Sequence, residues 1–150
     1  MAQRINLAAS FPNLKNLGTV TTPYGGQTSQ EAFHPGIDIA NKIGTKIPAF
    51  AGGTVTEADY GHVQGENNYG NSVIITDAEG NKHRYSHLNR GYVKVGDRVG
   101  AGSTIGELGN TGATSSKSGM GDGANLDYRI ASRYGKYKNP LTYVSNFLKQ

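Results

Sequence analysis

A mainly β domain, an antiparallel sheet or sandwich with an open groove and a short C-terminal helix, is the fold this sequence predicts. Three observations predict it. Glycine supplies 22 of the 150 residues, about double an average share, which implies many tight turns. Short β-branched or alternating runs recur between those turns. Only the C-terminal end sets apolar residues at helical spacing, and interior glycine would cost a helix bundle about 1 kcal/mol each relative to alanine. The length suits one domain over 1–150, with neither repeat nor linker.

In chain order, 17–22 reads as a strand stopped by Pro23-Tyr24-Gly25-Gly26. Residues 36–40 alternate, with Ile37 and Ile39 on one face and Asp38 and Ala40 on the other. One or two short strands fall within 47–57, around Gly52-Gly53. A β-branched run over 71–76, a turn over 77–81 and a returning strand over 82–88 make an antiparallel hairpin. Two further short strands cover 92–99 and 104–108. Residues 110–123 form a loop of Ser, Thr, Gly and Lys, too polar to pack and longer than most connections. A last strand over 124–130 precedes a helix over 140–148, which opens on Pro140 and spaces Leu141, Val144 and Leu148 helically.

Composition removes several function classes. Cysteine is absent, which excludes a disulfide framework, thiol catalysis and a thiolate zinc site. Any metal must therefore sit on His, Asp, Glu or backbone oxygen. The net charge of +4 favours anionic partners such as an acidic cell wall. The basic residues are scattered rather than striped, so nucleic acid is not an expected partner. No apolar run approaches the roughly 18 residues of a membrane span, so no membrane insertion is expected. The first ten residues lack the apolar region of a signal peptide, so work outside a cell implies either another route out or a sequence trimmed at its start.

The candidate chemistry lies on three segments. His34 precedes Pro35-Gly36, a turn able to fold it toward Asp38 on the open face of its strand. One imidazole and one carboxylate converging this way make half of a zinc site; the alternative is a plain exposed Asp38. By strand alternation His83, Tyr85 and His87 share one face, with Leu88 on the other. Asn125, Asp127 and Arg129 share a face opposite Leu126, Tyr128 and Ile130. Both polar faces, placed on the same side as Asp38, would form a groove of His, Asp and Asn. The alternative for Asp127 is a surface pair with Arg129, worth at most about 1 kcal/mol. For His83, in the phase of His87, and for His62, in a polar loop, a surface or satisfied core histidine is favoured over a place at the groove's edge. Residues 100–109 are glycine-rich but lack the Gly-Lys-Ser/Thr ending of a phosphate loop. Ser86 neighbours His87 but faces the opposite way, so the two make no catalytic pair.

Three segments in order resemble the lysostaphin-like zinc metallo-endopeptidases that cut peptidoglycan peptides: Phe33-His34-Pro35-Gly36-Ile37-Asp38-Ile39-Ala40, Tyr85-Ser86-His87-Leu88 and Gly123-Ala124-Asn125-Leu126-Asp127-Tyr128-Arg129-Ile130. Connecting stretches such as Val93-Lys94-Val95-Gly96-Asp97-Arg98-Val99 match as well, so the likeness spans roughly 17–140. The resemblance implies Zn²⁺ held by His34, Asp38 and Asp127, with His87 and Asn125 beside it as catalytic residues. It also implies a peptidoglycan peptide or cross-bridge as substrate, a monomer, and an extracellular, virion-associated or cell-wall-associated place of work. Loops over 27–33, 61–69 and 111–123 would wall the groove, whose narrowness in the family favours small residues such as glycine.

Two positions depart from the family's last motif, normally His-x-His. Asp127 replaces a ligating His, and a carboxylate oxygen still binds zinc at about 2.0–2.2 Å. The site's charge with Zn²⁺ then falls to about zero, which acidifies bound water less and admits ions such as Mn²⁺. Asn125 replaces a catalytic His, and an amide donates a hydrogen bond without exchanging a proton near neutral pH. Such a loss commonly costs about 10²–10⁴ in rate. A second reading follows from Asn125: an inactive pseudo-enzyme of the same fold that binds metal or cell wall. A biotinyl or lipoyl carrier domain shares the β-turn spacing of 51–55 and 94–99, but the turn over 77–81 holds no lysine to modify.

Overall fold

The computed structural model describes residues 17–27, 31–65, 68–112 and 123–149. Within them the alternation read from the sequence becomes ten strands and one helix. These are β1 (Thr19–Thr22), β2 (Gly36–Ala40), β3 (Lys46–Pro48), β4 (Gly53–Asp59), β5 (Asn71–Thr76), β6 (Lys82–Gly91), β7 (Arg98–Val99), β8 (Thr104–Leu108), β9 (Asn125–Ala131), β10 (Tyr137–Lys138) and α1 (Leu141–Leu148). Every strand pairing is antiparallel, and the main path runs β1-β2-β9-β6-β5-β4-β7. β8 pairs with the far end of β6 and with β3, which carries the sheet round over its own apolar face.

That face is built from every second residue. Ile37 and Ile39 of β2 and Leu126, Tyr128 and Ile130 of β9 are all at most 1% exposed, while Asp38 between the isoleucines stays half-buried on the other side. Tyr85 and Tyr128 stack with ring centroids 4.8 Å apart, and Phe50 lies against both. Buried rings give a core with little leucine the area it needs. Phe50 also donates its backbone N–H to the Tyr85 hydroxyl at 2.9 Å, satisfying a polar tip inside the core. The helix closes one end: Val144 is fully buried, and Phe147 packs edge-on against Phe50.

The hairpin over 71–88 forms as expected. Asp77 shapes its turn by accepting the backbone N–H groups of Glu79 and Asn81. The strand expected over 92–99 is shorter, only Arg98–Val99. Lys94-Val95-Gly96-Asp97 turns instead: Asp97 donates its N–H to Lys94 O and accepts the Lys94 N–H on its carboxylate. Gly96 supplies the positive φ of 97° that this turn requires. β10, a two-residue partner of β9, has no counterpart in the sequence reading. The loop expected over 110–123 lies mostly outside the described residues, as do 28–30 and 66–67 of the other two groove loops.

Candidate metal centre

Strand register brings two of the three motifs together. Asp38 on β2 stands directly opposite Asp127 on β9, and Gly36 stands opposite Arg129, so these side chains share one face. The turn before β2 folds His34 onto the same spot. One nitrogen of His34 and one oxygen each of Asp38 and Asp127 lie within 4.8 Å of one another. His34 and Asp127 are buried, at 2% and 3% exposure.

His87 reaches this face by a route that alternation misses. Tyr85 pairs with Val73 and Leu88 pairs with Asn71, so Ser86 and His87 together stand opposite the single residue Ser72. This bulge gives His87 a φ of 65°, the only positive value on a non-glycine among the described residues. It turns the imidazole toward Asp127, with Nε2 4.0 Å from Asp127 Oδ2. The expectations that His83, Tyr85 and His87 share the groove face and that Ser86 faces away from His87 are therefore corrected, since Ser86 pairs with Asp127 on the groove side. Tyr85 and His83 pair with Tyr128 and Ile130 on the core side. His83 is fully buried there, held by the Tyr128 hydroxyl at 2.7 Å and Asp77 Oδ2 at 2.9 Å, far from any groove edge. His62 likewise lies apart, 2.8 Å from Asp59. Asn125 keeps the predicted face, two residues before Asp127 and opposite Ala40, and is half-buried. It is not among the described residues that line the cleft.

Hydrogen bonds settle which nitrogens are available. His87 Nδ1 lies 2.8 Å from the Thr111 carbonyl, which only accepts, so Nδ1 carries the proton and Nε2 offers a lone pair. His34 Nδ1 lies 3.2 Å from the Glu31 carboxylate and donates to it. His34 Nε2 is then buried with no hydrogen-bond partner among the described residues, although it lies 3.1 Å from Asp38 Oδ1. A buried lone pair facing a carboxylate is satisfied by a cation between them, a proton or a metal ion. A carboxylate behind a ligating histidine is the usual outer support of a metal site. Formal charge agrees: Glu31, Asp38 and Asp127 against Arg129 leave two negative charges, which a divalent ion cancels. The donor set thus fits a divalent metal.

Arg129 and Glu31 are the residues the sequence reading undervalued. Arg129 donates from Nε and Nη2 to the two oxygens of Asp127, both at 2.9 Å. It also donates to both oxygens of Glu31, at 2.8 and 3.2 Å. The Asp127–Arg129 pair weighed as a surface contact is real but buried, with Arg129 only 8% exposed. Burial raises the Glu31 carboxyl, but hydrogen bonds from Arg129 and His34 outweigh it and hold it below the ordinary range. Burial likewise disfavours the charged forms of His34 and Arg129. The surrounding carboxylates prevail and push both upward: Asp38, Asp127 and Glu31 at His34, Asp127 and Glu31 at Arg129. Glu31, Asn68, Tyr69, His87, Asp127 and Arg129 line a cleft of about 140 Å³, room for a few water molecules. Glu31 and Tyr69 come from two of the loops expected to wall it.

Residues 32–140 match the model of peptidase family M23. The chain belongs to that family. This M23 chain is 35% identical over 123 residues to a lipoprotein NlpD/LppB homolog of Pseudomonas aeruginosa, covering 82% of this chain and 37% of the relative. It is 36% identical over 115 residues to the peptidoglycan DD-endopeptidase ShyC of Vibrio cholerae, covering 77% of this chain and 24% of the relative. It thus spans less than two fifths of the length of either curated relative. Among solved structures, the antimicrobial peptidase lysostaphin from Staphylococcus simulans superposes with a TM-score of 0.70 at 25% identity, covering 89% of this chain and 51% of that one. The resemblance read from the three motifs is that of an M23 domain, and the mainly antiparallel fold is that of its lysostaphin-type members.

Proposed function

We propose that this M23 domain is a zinc-dependent endopeptidase acting on peptide bonds of bacterial peptidoglycan, outside the cell or at the wall. The observation that carries the reading is the convergence of His34 Nε2, Asp38 and Asp127, with a buried imidazole nitrogen that has no hydrogen-bond partner among the described residues. Family membership, a relative named as a peptidoglycan endopeptidase and the likeness to lysostaphin support the substrate class.

Zinc held by His34, Asp38 and Asp127 would supply polarisation of a scissile carbonyl and acidification of a water. The chain's own groups do the rest. Glu31 fixes the His34 tautomer by accepting its Nδ1–H. Thr111 does the same for His87, whose Nε2 is thereby ready to take a proton or, once protonated, to donate one to a developing oxyanion. Asn125 offers only a neutral hydrogen bond, so proton transfer falls on His87. Tyr69, at the cleft, lies beneath the guanidinium groups of Arg84 and Arg129 and forms part of the wall against which a peptide would lie.

The second reading, a binding domain without turnover, draws on Asn125 and on the guanidinium that occupies Asp127. One experiment separates them: purified peptidoglycan is digested with zinc present, using the natural chain and Asn125→His, and released peptides are identified by mass spectrometry. The endopeptidase reading predicts the same cleavage products from both, with the variant faster by about 10²–10⁴. No released peptide from either protein would overturn the endopeptidase reading and leave the binding reading standing.

A further inference from the structure

The cleft already contains a cation, and it belongs to the chain. Arg129 grips both oxygens of Asp127 in a fork while its other face holds Glu31. The arrangement is built in rather than incidental. The guanidinium is covered by the Tyr69 ring, 5.3 Å from its centroid. The stem lies across Gly36, where an added Cβ would come within 2.6 Å of Arg129 Cγ, so glycine leaves the room that Arg129 occupies. A forked guanidinium consumes one lone pair on each carboxylate oxygen. Any ion bound by Asp127 must share what remains and sit close to a positive charge. Ser86 stands directly across from Asp127 on the same face, and its Oγ is buried without a partner among the described residues.

We propose that Arg129 is an internal competitor for Asp127 that lowers the affinity of this centre for divalent metal. The inference rests on the reading that His34, Asp38 and Asp127 hold the ion, and deepens it. Binding of the metal draws Asp127 from Arg129 in part or whole, leaving the guanidinium on Glu31. The opposite role is also physically distinct: a guanidinium that merely orients Asp127 would strengthen metal binding, and its removal would weaken it.

Zinc affinity is measured by competition with a chromophoric chelator for the natural chain, Arg129→Gln, Arg129→Lys and Asp127→Asn, with circular dichroism as the check on folding. Arg129→Gln is expected to bind zinc at least about tenfold more tightly, the size of effect from removing one charge a few ångströms from a divalent ion. Arg129→Lys, which keeps the charge but loses the fork, falls between the two and carries the test should the glutamine variant not fold. Asp127→Asn loses zinc. Affinity equal to or below the natural chain's in both Arg129 variants, with Asp127→Asn still defective, would overturn the competition and leave the metal site standing. Unchanged affinity in Asp127→Asn would overturn the metal site itself, and the competition with it.

Discussion

His87 is held in a backbone conformation that suits glycine, and comparing His87→Gly with His87→Ala isolates that strain. Both substitutions delete the imidazole and its hydrogen bond to Thr111 O, so the difference between them reports the backbone alone. At φ 65° a residue with a Cβ carries about 1–2 kcal/mol of left-handed strain. Glycine escapes that but loses about 0.5–1 kcal/mol more chain entropy on folding than alanine. The balance makes His87→Gly the more stable variant by up to about 1.5 kcal/mol. At an ordinary strand position the order is reversed. Urea unfolding followed by far-ultraviolet circular dichroism measures this directly, the chain having no tryptophan to report by fluorescence. His87→Ala more stable than His87→Gly by the usual margin would show that the bulge at Ser86–His87 imposes no strain. The account of how His87 reaches the metal centre would then fail.

Two further outcomes follow from the same scaffold. Thr111 accepts the Asn71 N–H at 3.0 Å and donates to Leu88 O at 2.7 Å, both inside the protein. Thr111→Val keeps the shape and orphans the buried Asn71 N–H, at about 1–3 kcal/mol, while Leu88 O keeps the Asn71 side-chain amide at 3.0 Å, so the urea midpoint falls; an unchanged midpoint would refute the network. Burial pulls the His83 imidazole below its ordinary pKa, with Asp77 opposing. The unfolded chain therefore takes up a proton near pH 6.5 that the folded chain refuses, and stability falls as pH drops through that value. His83→Gln removes this term, so the stability advantage of the natural chain over the variant shrinks between about pH 7.5 and about pH 5.5; an advantage that grows instead would contradict the assignment.

Much of this was legible in the residues because strand alternation is a strong local rule. The faces of β2 and β9 and the hairpin over 71–88 follow from it, and the opening of α1 on Pro140 follows from the fixed φ of proline. The rule fails where a strand is not regular. His83, Tyr85 and His87 have one spacing, yet a single extra residue at the bulge sends His87 to the cleft and leaves the others in the core. Motif resemblance found His87 where periodicity placed it with the wrong companions. Glu31 carried a usable signal, a carboxylate three residues before His34, but only the folded turn shows it meeting both His34 Nδ1 and Arg129. For Arg129 the partner was readable two residues away; its burial was not, because that depends on Gly36 and Tyr69 from other segments.

The central claim is that His34, Asp38 and Asp127 jointly hold one divalent ion. Equilibrium dialysis of the purified chain against zinc, followed by elemental analysis, tests it without reference to any substrate. The account predicts about one zinc per natural chain and a large loss of it in folded His34→Ala and Asp38→Ala proteins. Zinc content in those variants equal to that of the natural chain would contradict it.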